Sequence, residues 1–169
     1  FVELSREYPQ GYAVIDPEKE PKLITYGTEY VKWPKVSADC STLIYTSEAY
    51  NRPPALEVFH LGDAKSQRIF QSNPQYHEYE LPRQERIHYT NVQGDSLKGI
   101  LRYPVGYDPN KRYPMVVYVY EKQSHTFNHY TNPGFYTTIG FNPANLVNRG
   151  YFVLQPDITY QPGETAFSA

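Results

Sequence analysis

Gly94-Asp95-Ser96-Leu97 spells GDSL, the signature of a hydrolase class whose serine follows a buried apolar strand and pairs with a downstream D-x-x-H. The six residues before Gly94 read HYTNVQ and are mostly polar, and the chain contains no D-x-x-H. We therefore expect Ser96 to lie beside a hairpin turn and not to act as a nucleophile.

His125 and His129 are four residues apart, a spacing that places two imidazoles on one face of a helix, as in zinc sites. The segment HTFNHYTNP shows no helical continuation and no obvious third ligand, so we expect loop histidines and no metal site. Cys40 is the single cysteine, so it cannot form an internal disulfide. It lies in a predicted turn without a neighbouring base, which argues against a nucleophilic role.

The composition is that of a folded protein with much β-structure. The chain has 169 residues and a net charge of −2, with 40% hydrophobic and 20% charged residues. Eighteen tyrosines and fifteen prolines favour strands separated by ordered turns. There is no basic tract with interleaved aromatic residues, so we expect no nucleic-acid partner. No apolar run approaches the roughly 18 residues that span a bilayer, so we expect no membrane span.

Residues 1–85 predict an all-β region, because short apolar or alternating runs are separated by turn clusters such as DPEKEP and LGDAKSQ. Residues 35–75 read as turn, strand, Pro-rich link, strand, turn and strand. This is the order of a propeller blade whose first strand would lie before Val36. The strand candidates are Gly11–Ile15, Lys22–Tyr26, Leu43–Ser47, Leu56–Leu61 and Arg68–Gln71.

Residues 86–169 predict the beginning of an α/β sheet. ERIHYTNVQGDSLKGILRYP reads as two strands joined by a tight turn at Gln93-Gly94-Asp95. The continuous apolar run Met115–Tyr120 predicts a strand buried on both faces. Pro143–Arg149 predicts a helix, with Asn142 as its N-cap and Gly150 as its C-terminal stop. YFVL predicts a second buried strand after that helix.

Two stretches of the chain resemble serine peptidases of the prolyl oligopeptidase family, which includes dipeptidyl peptidase IV and the acylaminoacyl peptidases. PPALEVFHLGDAKSQRIFQSN resembles a late propeller blade of these enzymes. QGDSLKGILRYPVGYDPNKRYPMVVYVY, followed by NLVNRGYFVLQPDI, resembles the start of their α/β-hydrolase domain. The resemblance implies a partial β-propeller at residues 1–85. It further implies the N-terminal portion of an α/β-hydrolase domain at residues 86–169, truncated before the nucleophile elbow.

The resemblance also implies a function. In this family the catalytic serine lies on a G-x-S-x-G elbow, and its acid and histidine partners come later in the chain. None of the nine serines here has glycine at both −2 and +2. We therefore expect this chain to be part of a serine exo- or oligopeptidase that hydrolyses short peptides through an acyl-enzyme, and to be inactive alone. Such enzymes need no metal or organic cofactor, and a periplasmic or secreted location is expected.

Tyr120 is the candidate catalytic residue that this resemblance supplies. In dipeptidyl peptidase IV-like enzymes a tyrosine at the end of the equivalent strand donates its hydroxyl to the oxyanion hole, and Tyr120 matches it by register. The family continues with small residues in a Gly-rich turn, whereas this chain has Glu121-Lys122-Gln123. Glu121 is a candidate to pair with the amino terminus of a peptide, or it belongs to a solvated loop. Asp157 could bind a ligand at the carboxyl end of its strand, or cap the next turn.

Further expectations concern partners and rival functions. A sheet truncated after YFVL would leave that strand with an unpaired edge and an apolar face. We therefore expect the isolated chain to aggregate unless the remaining hydrolase domain or another chain completes the sheet. A non-enzymatic β-rich binding module and a different α/β-hydrolase, such as an esterase, are the alternatives. The missing elbow favours the binding module, and the two apolar runs disfavour it.

Overall fold

The computed structural model describes residues 2–3, 10–63, 65–134 and 140–159. The chain divides into two compact units. The first unit is formed by residues 1–78 with Asn128–Tyr130, and the second by residues 79–127 with 131–169. Strands dominate both units, so the predicted β-rich character is confirmed. The domain boundary predicted between residues 85 and 86 stays a prediction.

The first unit contains two antiparallel sheets, one of three strands and one of four. The strands of the second sheet follow one another in chain order, which is the meander predicted for a propeller blade. All five strand candidates and the strand expected before Val36 are present. The strands are β1 (Val2–Glu3), β2 (Gln10–Val14), β3 (Lys22–Gly27), β4 (Tyr30–Val36), β5 (Thr42–Ala49), β6 (Arg52–His60) and β7 (Gln67–Gln71).

A hydrophobic core lies within the first unit, built from alternate residues of its strands because successive side chains of a strand point to opposite faces. Leu43 and Phe59 are fully buried, and the rings of Tyr12 and Tyr45 meet edge to face with centroids 5.3 Å apart. Val31 completes the cluster. Burial raises the pKa of Tyr12 to about 12, since the phenolate would lose its hydration there.

The second unit contains one mixed four-stranded sheet and a short helix. Its strands are β8 (Gln84–Thr90), β9 (Ser96–Arg102), β10 (Met115–Val117) and β11 (Phe152–Pro156), in the order β10-β11-β9-β8. β8 and β9 form an antiparallel hairpin, and β9 also pairs antiparallel with β11. β10 and β11 are parallel. The helix α1 (Pro143–Val147) lies between them in the chain.

The hairpin turn between β8 and β9 is closed by Asn91. Its Oδ1 accepts hydrogen bonds from the backbone N–H groups of Gln93 (3.0 Å) and Asp95 (2.8 Å). Gly94 has φ +91°, a conformation that glycine adopts without strain. Ser96 begins β9 directly after this turn, so the prediction that the GDSL serine lies beside a hairpin turn is confirmed.

The predicted helix is confirmed, although it is two residues shorter than Pro143–Arg149. The Oδ1 of Asn142 accepts from the backbone N–H groups of Ala144 (2.9 Å) and Asn145 (3.3 Å), which is the N-cap expected from its residue type. Gly150 has φ +84° and ends the helical segment, as predicted.

Two predictions about this sheet are wrong. The run Met115–Tyr120 is not buried on both faces: β10 is an edge strand of three residues, and Met115, Val117 and Val119 are each about half exposed. YFVL does not present an unpaired edge, because β11 lies between β10 and β9. An apolar run shows that a strand can be buried. Whether it is buried depends on which strands pair with it on either side.

Candidate functional site

Tyr120 lies at the carboxyl end of the β10 segment. The regular ladder ends at Val117, but the Tyr118 N–H still donates to the Leu154 carbonyl at 2.9 Å, so the chain stays extended beside β11. Tyr120 is 63% exposed. The carboxyl ends of parallel strands are where α/β sheets place their ligands, so its phenol is available to a bound molecule.

The backbone turns sharply directly after Tyr120. Glu121 has φ +34°, a left-handed conformation that is uncommon for a residue with a Cβ atom. Its carbonyl accepts from the Ile158 N–H at 3.0 Å, which ties the turn to the chain leaving β11. The family that the sequence resembles has small residues in this turn, and here a glutamate adopts it. The side chain of Glu121 is exposed and follows Tyr120 directly.

Asp157 anchors the segment that follows this turn. The residue is 6% exposed, and its Oδ1 accepts from the backbone N–H groups of Gln123 (2.6 Å) and Ser124 (2.8 Å). Its Oδ2 accepts from the Ser124 hydroxyl at 2.6 Å. A buried carboxylate is tolerated when it is hydrogen-bonded in this way. Asp157 thus caps the 3₁₀ helix Ser124–Thr126. One of the two roles that the sequence predicts for Asp157 is to cap the turn after it, whereas this helix comes more than 30 residues before it.

A chain of amide side chains connects the sheet interior with the Tyr120 carbonyl. The buried Arg102 donates to Gln155 Oε1, and Gln155 Nε2 donates to Gln123 Oε1 at 2.7 Å. Gln123 Nε2 in turn donates to the Tyr120 carbonyl at 3.0 Å. Desolvation lowers the pKa of the Arg102 guanidinium to about 10, so it remains a cation and a donor at neutral pH.

The far end of the same loop is also held. The Phe127 carbonyl accepts from Gln84 Nε2 of β8, and the Phe127 ring lies 4.7 Å from the Arg86 guanidinium carbon. The segment from Tyr120 to Phe127 is therefore fixed against β11 at its start and against β8 at its end. Such a loop on a rigid sheet is the usual support for binding or catalytic residues.

The other candidate residues each lie within one of the two units. His125 lies in the 3₁₀ helix of the second unit, whereas His129 belongs to the first unit and packs against Tyr30 with ring centroids 3.8 Å apart. Cys40 is a free, exposed thiol in the turn before β5. Among the described residues no group of three His, Cys, Asp or Glu side chains could hold a metal ion. Within that same part of the chain, no helix is long and apolar enough to cross a membrane.

Sequence reasoning missed most of the residues that support the Tyr120 turn. Asp157 was noted as a possible cap, but its partners lie 33 and 34 residues earlier in the chain. Gln155 did carry a signal, since it is the one polar residue of the strand FVLQP, whereas Arg102 ends a strand that also contains a serine and a lysine. Buried polar residues of this kind need partners, and the strand register determines which ones they find.

Comparison with known proteins gives structural neighbours only. No protein-family model and no curated protein sequence matches the chain. A dipeptidyl aminopeptidase IV from Bacteroides ovatus superposes with a TM-score of 0.64 and 19% identity over 89% of this chain. The acylaminoacyl peptidase of Pyrococcus horikoshii gives 0.61 and 16% over 92%. The AtxE2 isopeptidase gives 0.58 and 22% over 82%.

The chain spans about a fifth of the length of these structures: 22%, 23% and 20%, respectively. At these identities the likeness establishes a shared fold. The β-rich fold described here is therefore one that occurs in peptidases of the dipeptidyl peptidase IV and acylaminoacyl types, the kinds of enzyme that the sequence resemblance named.

Proposed function

We propose that this chain forms part of a serine peptidase of the prolyl oligopeptidase family, with residues 1–85 at the end of a β-propeller and residues 86–169 at the start of an α/β-hydrolase domain. Two structural features support the second assignment. The parallel pair β10 and β11, with α1 between them in the chain, is the strand–helix–strand unit of an α/β sheet. The antiparallel strands β9 and β8 continue that sheet on one side.

The observation that carries the proposal is the position of Tyr120, exposed at the carboxyl end of the β10 segment and followed by an anchored turn. When a serine oxygen attacks a peptide carbonyl, negative charge develops on the carbonyl oxygen. A phenol O–H held at fixed geometry in a water-poor cleft stabilises that charge by donating a hydrogen bond. In this proposal Glu121, directly after Tyr120, pairs with the amino terminus of a short peptide.

The serine, acid and histidine of the triad come from elsewhere in the parent protein, by which we mean the full-length protein that contains these residues. None of the nine serines here has the elbow pattern, so the 169 residues alone are inactive in this proposal. The partner that completes the sheet is the rest of the hydrolase domain, added at the edge of β10 that pairs with no described strand.

The replacement Tyr120→Phe in the parent protein tests this function, because it removes only the hydroxyl. We expect kcat for a short peptide substrate to fall by about 10²- to 10³-fold, with KM changed little, as for loss of one oxyanion-hole donor. Tyr118→Phe is the matched control. Tyr118 lies two residues earlier and stacks on Phe141 with ring centroids 4.1 Å apart, so its kcat should stay near the wild-type value. A wild-type kcat in the Tyr120→Phe protein would exclude the proposed role.

A further inference from the structure

The segment after Tyr120 is held by two sets of hydrogen bonds, which meet at Gln123: one uses its backbone N–H and the other its side-chain amide. We propose that Asp157 and Gln123 are positioning residues, which fix the Tyr120 hydroxyl where the developing oxyanion needs it. This inference rests on the proposed function, because that function depends on Tyr120 and the inference says which residues hold Tyr120 in position. Neither side chain is itself proposed to touch the substrate.

The first set acts on the backbone through Asp157. Because Glu121 adopts a left-handed φ of +34°, the turn is intrinsically unfavourable and persists only when surrounding contacts hold it. The Asp157 carboxylate binds the N–H groups of the two successive residues Gln123 and Ser124 and also the Ser124 hydroxyl. These bonds fix the exit of the turn, and the bond from Ile158 N–H to the Glu121 carbonyl fixes its middle.

The second set acts on Tyr120 itself. Gln123 donates to the Tyr120 carbonyl and is oriented by Gln155, which is in turn oriented by the buried Arg102. The amide of Gln123 has its oxygen and its nitrogen engaged in this chain, so its orientation is defined. The main chain of Tyr120 is therefore tied to a rigid central strand of the sheet through side chains.

The consequence of losing this support follows from the geometry of catalysis. An oxyanion donor acts only within hydrogen-bond distance of the oxygen that becomes charged, and a displacement of about 1 Å can cost about 10²-fold in rate. An exposed tyrosine on a loosened turn would still be present but would spend little time at the productive position. The loss should therefore appear in kcat and only weakly in KM.

A double-mutant cycle in the parent protein tests the inference. We expect Asp157→Ala to lower kcat by about 10- to 100-fold, with KM within about threefold of the wild-type value. In the Tyr120→Phe background the same change should have little further effect, because the group that it positions is already absent. Asp108→Ala is the matched control: Asp108 also caps a loop, accepting from Asn110 N–H at 3.0 Å, but it lies before β10, and its removal should leave kcat unchanged.

Two milder variants decide the question if Asp157→Ala fails to fold. Gln123→Leu removes the bond to the Tyr120 carbonyl, and Ser124→Ala removes one bond to Asp157. Each should lower kcat by about three- to tenfold and lose this effect in the Tyr120→Phe background. Losses that are equal in both backgrounds, or a wild-type kcat in all three variants, would overturn the positioning role.

These outcomes separate the inference from the function on which it rests. If Tyr120→Phe lowers kcat while the Asp157, Gln123 and Ser124 variants do not, only the positioning role fails. If the wild-type parent protein hydrolyses peptides and Tyr120→Phe has no effect, the role of Tyr120 fails, and the positioning role fails with it. If the parent protein hydrolyses no peptide and takes up no serine-directed probe, the peptidase proposal itself fails.

Discussion

The four-stranded sheets of the first and the second unit differ in the composition of their edge strands. In the first, the edge strand β4 carries Lys32, Pro34 and Lys35, and its register against β5 shifts between Lys32 and Lys35. In the second, the edge strand β10 turns Met115 and Val117 outward, each about half exposed. Both edges expose apolar side chains, but β4 interrupts its apolar surface with charges, a proline and a register shift, whereas β10 is entirely apolar.

The difference indicates where a further segment would add. An exposed apolar edge strand is a template for strand pairing, and proteins usually cover or blunt such an edge. On β4 the lysines, the proline and the register shift blunt the edge, and β10 has none of these features. We therefore expect a further strand to pair with β10.

The largest expected effect separates core from surface within the first unit. Phe59 on β6 is fully buried, whereas Phe70 on the neighbouring β7 is 62% exposed. Phe59→Ala should lower the free energy of unfolding by about 3–5 kcal/mol through lost burial and a cavity. Phe70→Ala should change it by less than about 0.5 kcal/mol. Urea unfolding measures both changes when it is followed by circular dichroism and by the fluorescence of Trp33, the single tryptophan. Equal losses of unfolding free energy in the two variants would contradict the described core.

An intermediate effect concerns the edge of the second sheet. In the isolated chain, Val117→Lys should weaken self-association by about tenfold or more, since a charged residue on an edge strand opposes pairing. Val36→Lys is the matched control, because Val36 is similarly exposed but lies on β4, an edge strand that already carries Lys32 and Lys35, so a further lysine should change association little. Sedimentation velocity measures the association of each variant. If both substitutions weaken self-association equally, the proposed difference between the edge strands β10 and β4 is wrong.

The smallest expected effect is a pH dependence in the turn before β5. Hydrogen bonds from the Ser37 hydroxyl (2.5 Å) and the Ser41 hydroxyl and N–H hold the pKa of Asp39 at about 2, below its usual 3.8. Because the folded state has the lower pKa, this stabilisation is full above about pH 4 and is lost as the pH falls towards 2. Asp39→Ala should therefore be less stable than the wild type at pH 6 and should converge with it near pH 2.

The control for this effect is Asp39→Asn, which keeps an acceptor but cannot titrate. Its stability relative to the Asp39→Ala variant should not change between pH 6 and pH 2. Acid and urea titrations of the three proteins give the comparison. A gap between wild type and Asp39→Ala that stays constant down to pH 2 would contradict the assigned cause of the lowered pKa.

Local signals in the sequence predicted the local structure. The Asn142 cap, the hairpin turn at Gly94 and the strands of the meander depend on neighbours within a few residues, and each is present. The exposure of β10 could not be predicted in this way, since burial depends on strand order. The support of Tyr120 joins residues 32 to 34 positions apart, which only the register of β11 brings together. The role of Tyr120 itself stays a prediction from resemblance.

The most direct test of the peptidase proposal is the intact mass of the protein isolated from its native source, measured before and after reaction with a fluorophosphonate. This probe phosphonylates an activated serine and so reports the nucleophile that these residues do not supply. We expect a protein heavier than 19.7 kDa that gains one adduct, on a serine outside these 169 residues. A protein that contains this chain and gains no adduct would contradict the claim that it belongs to a serine peptidase.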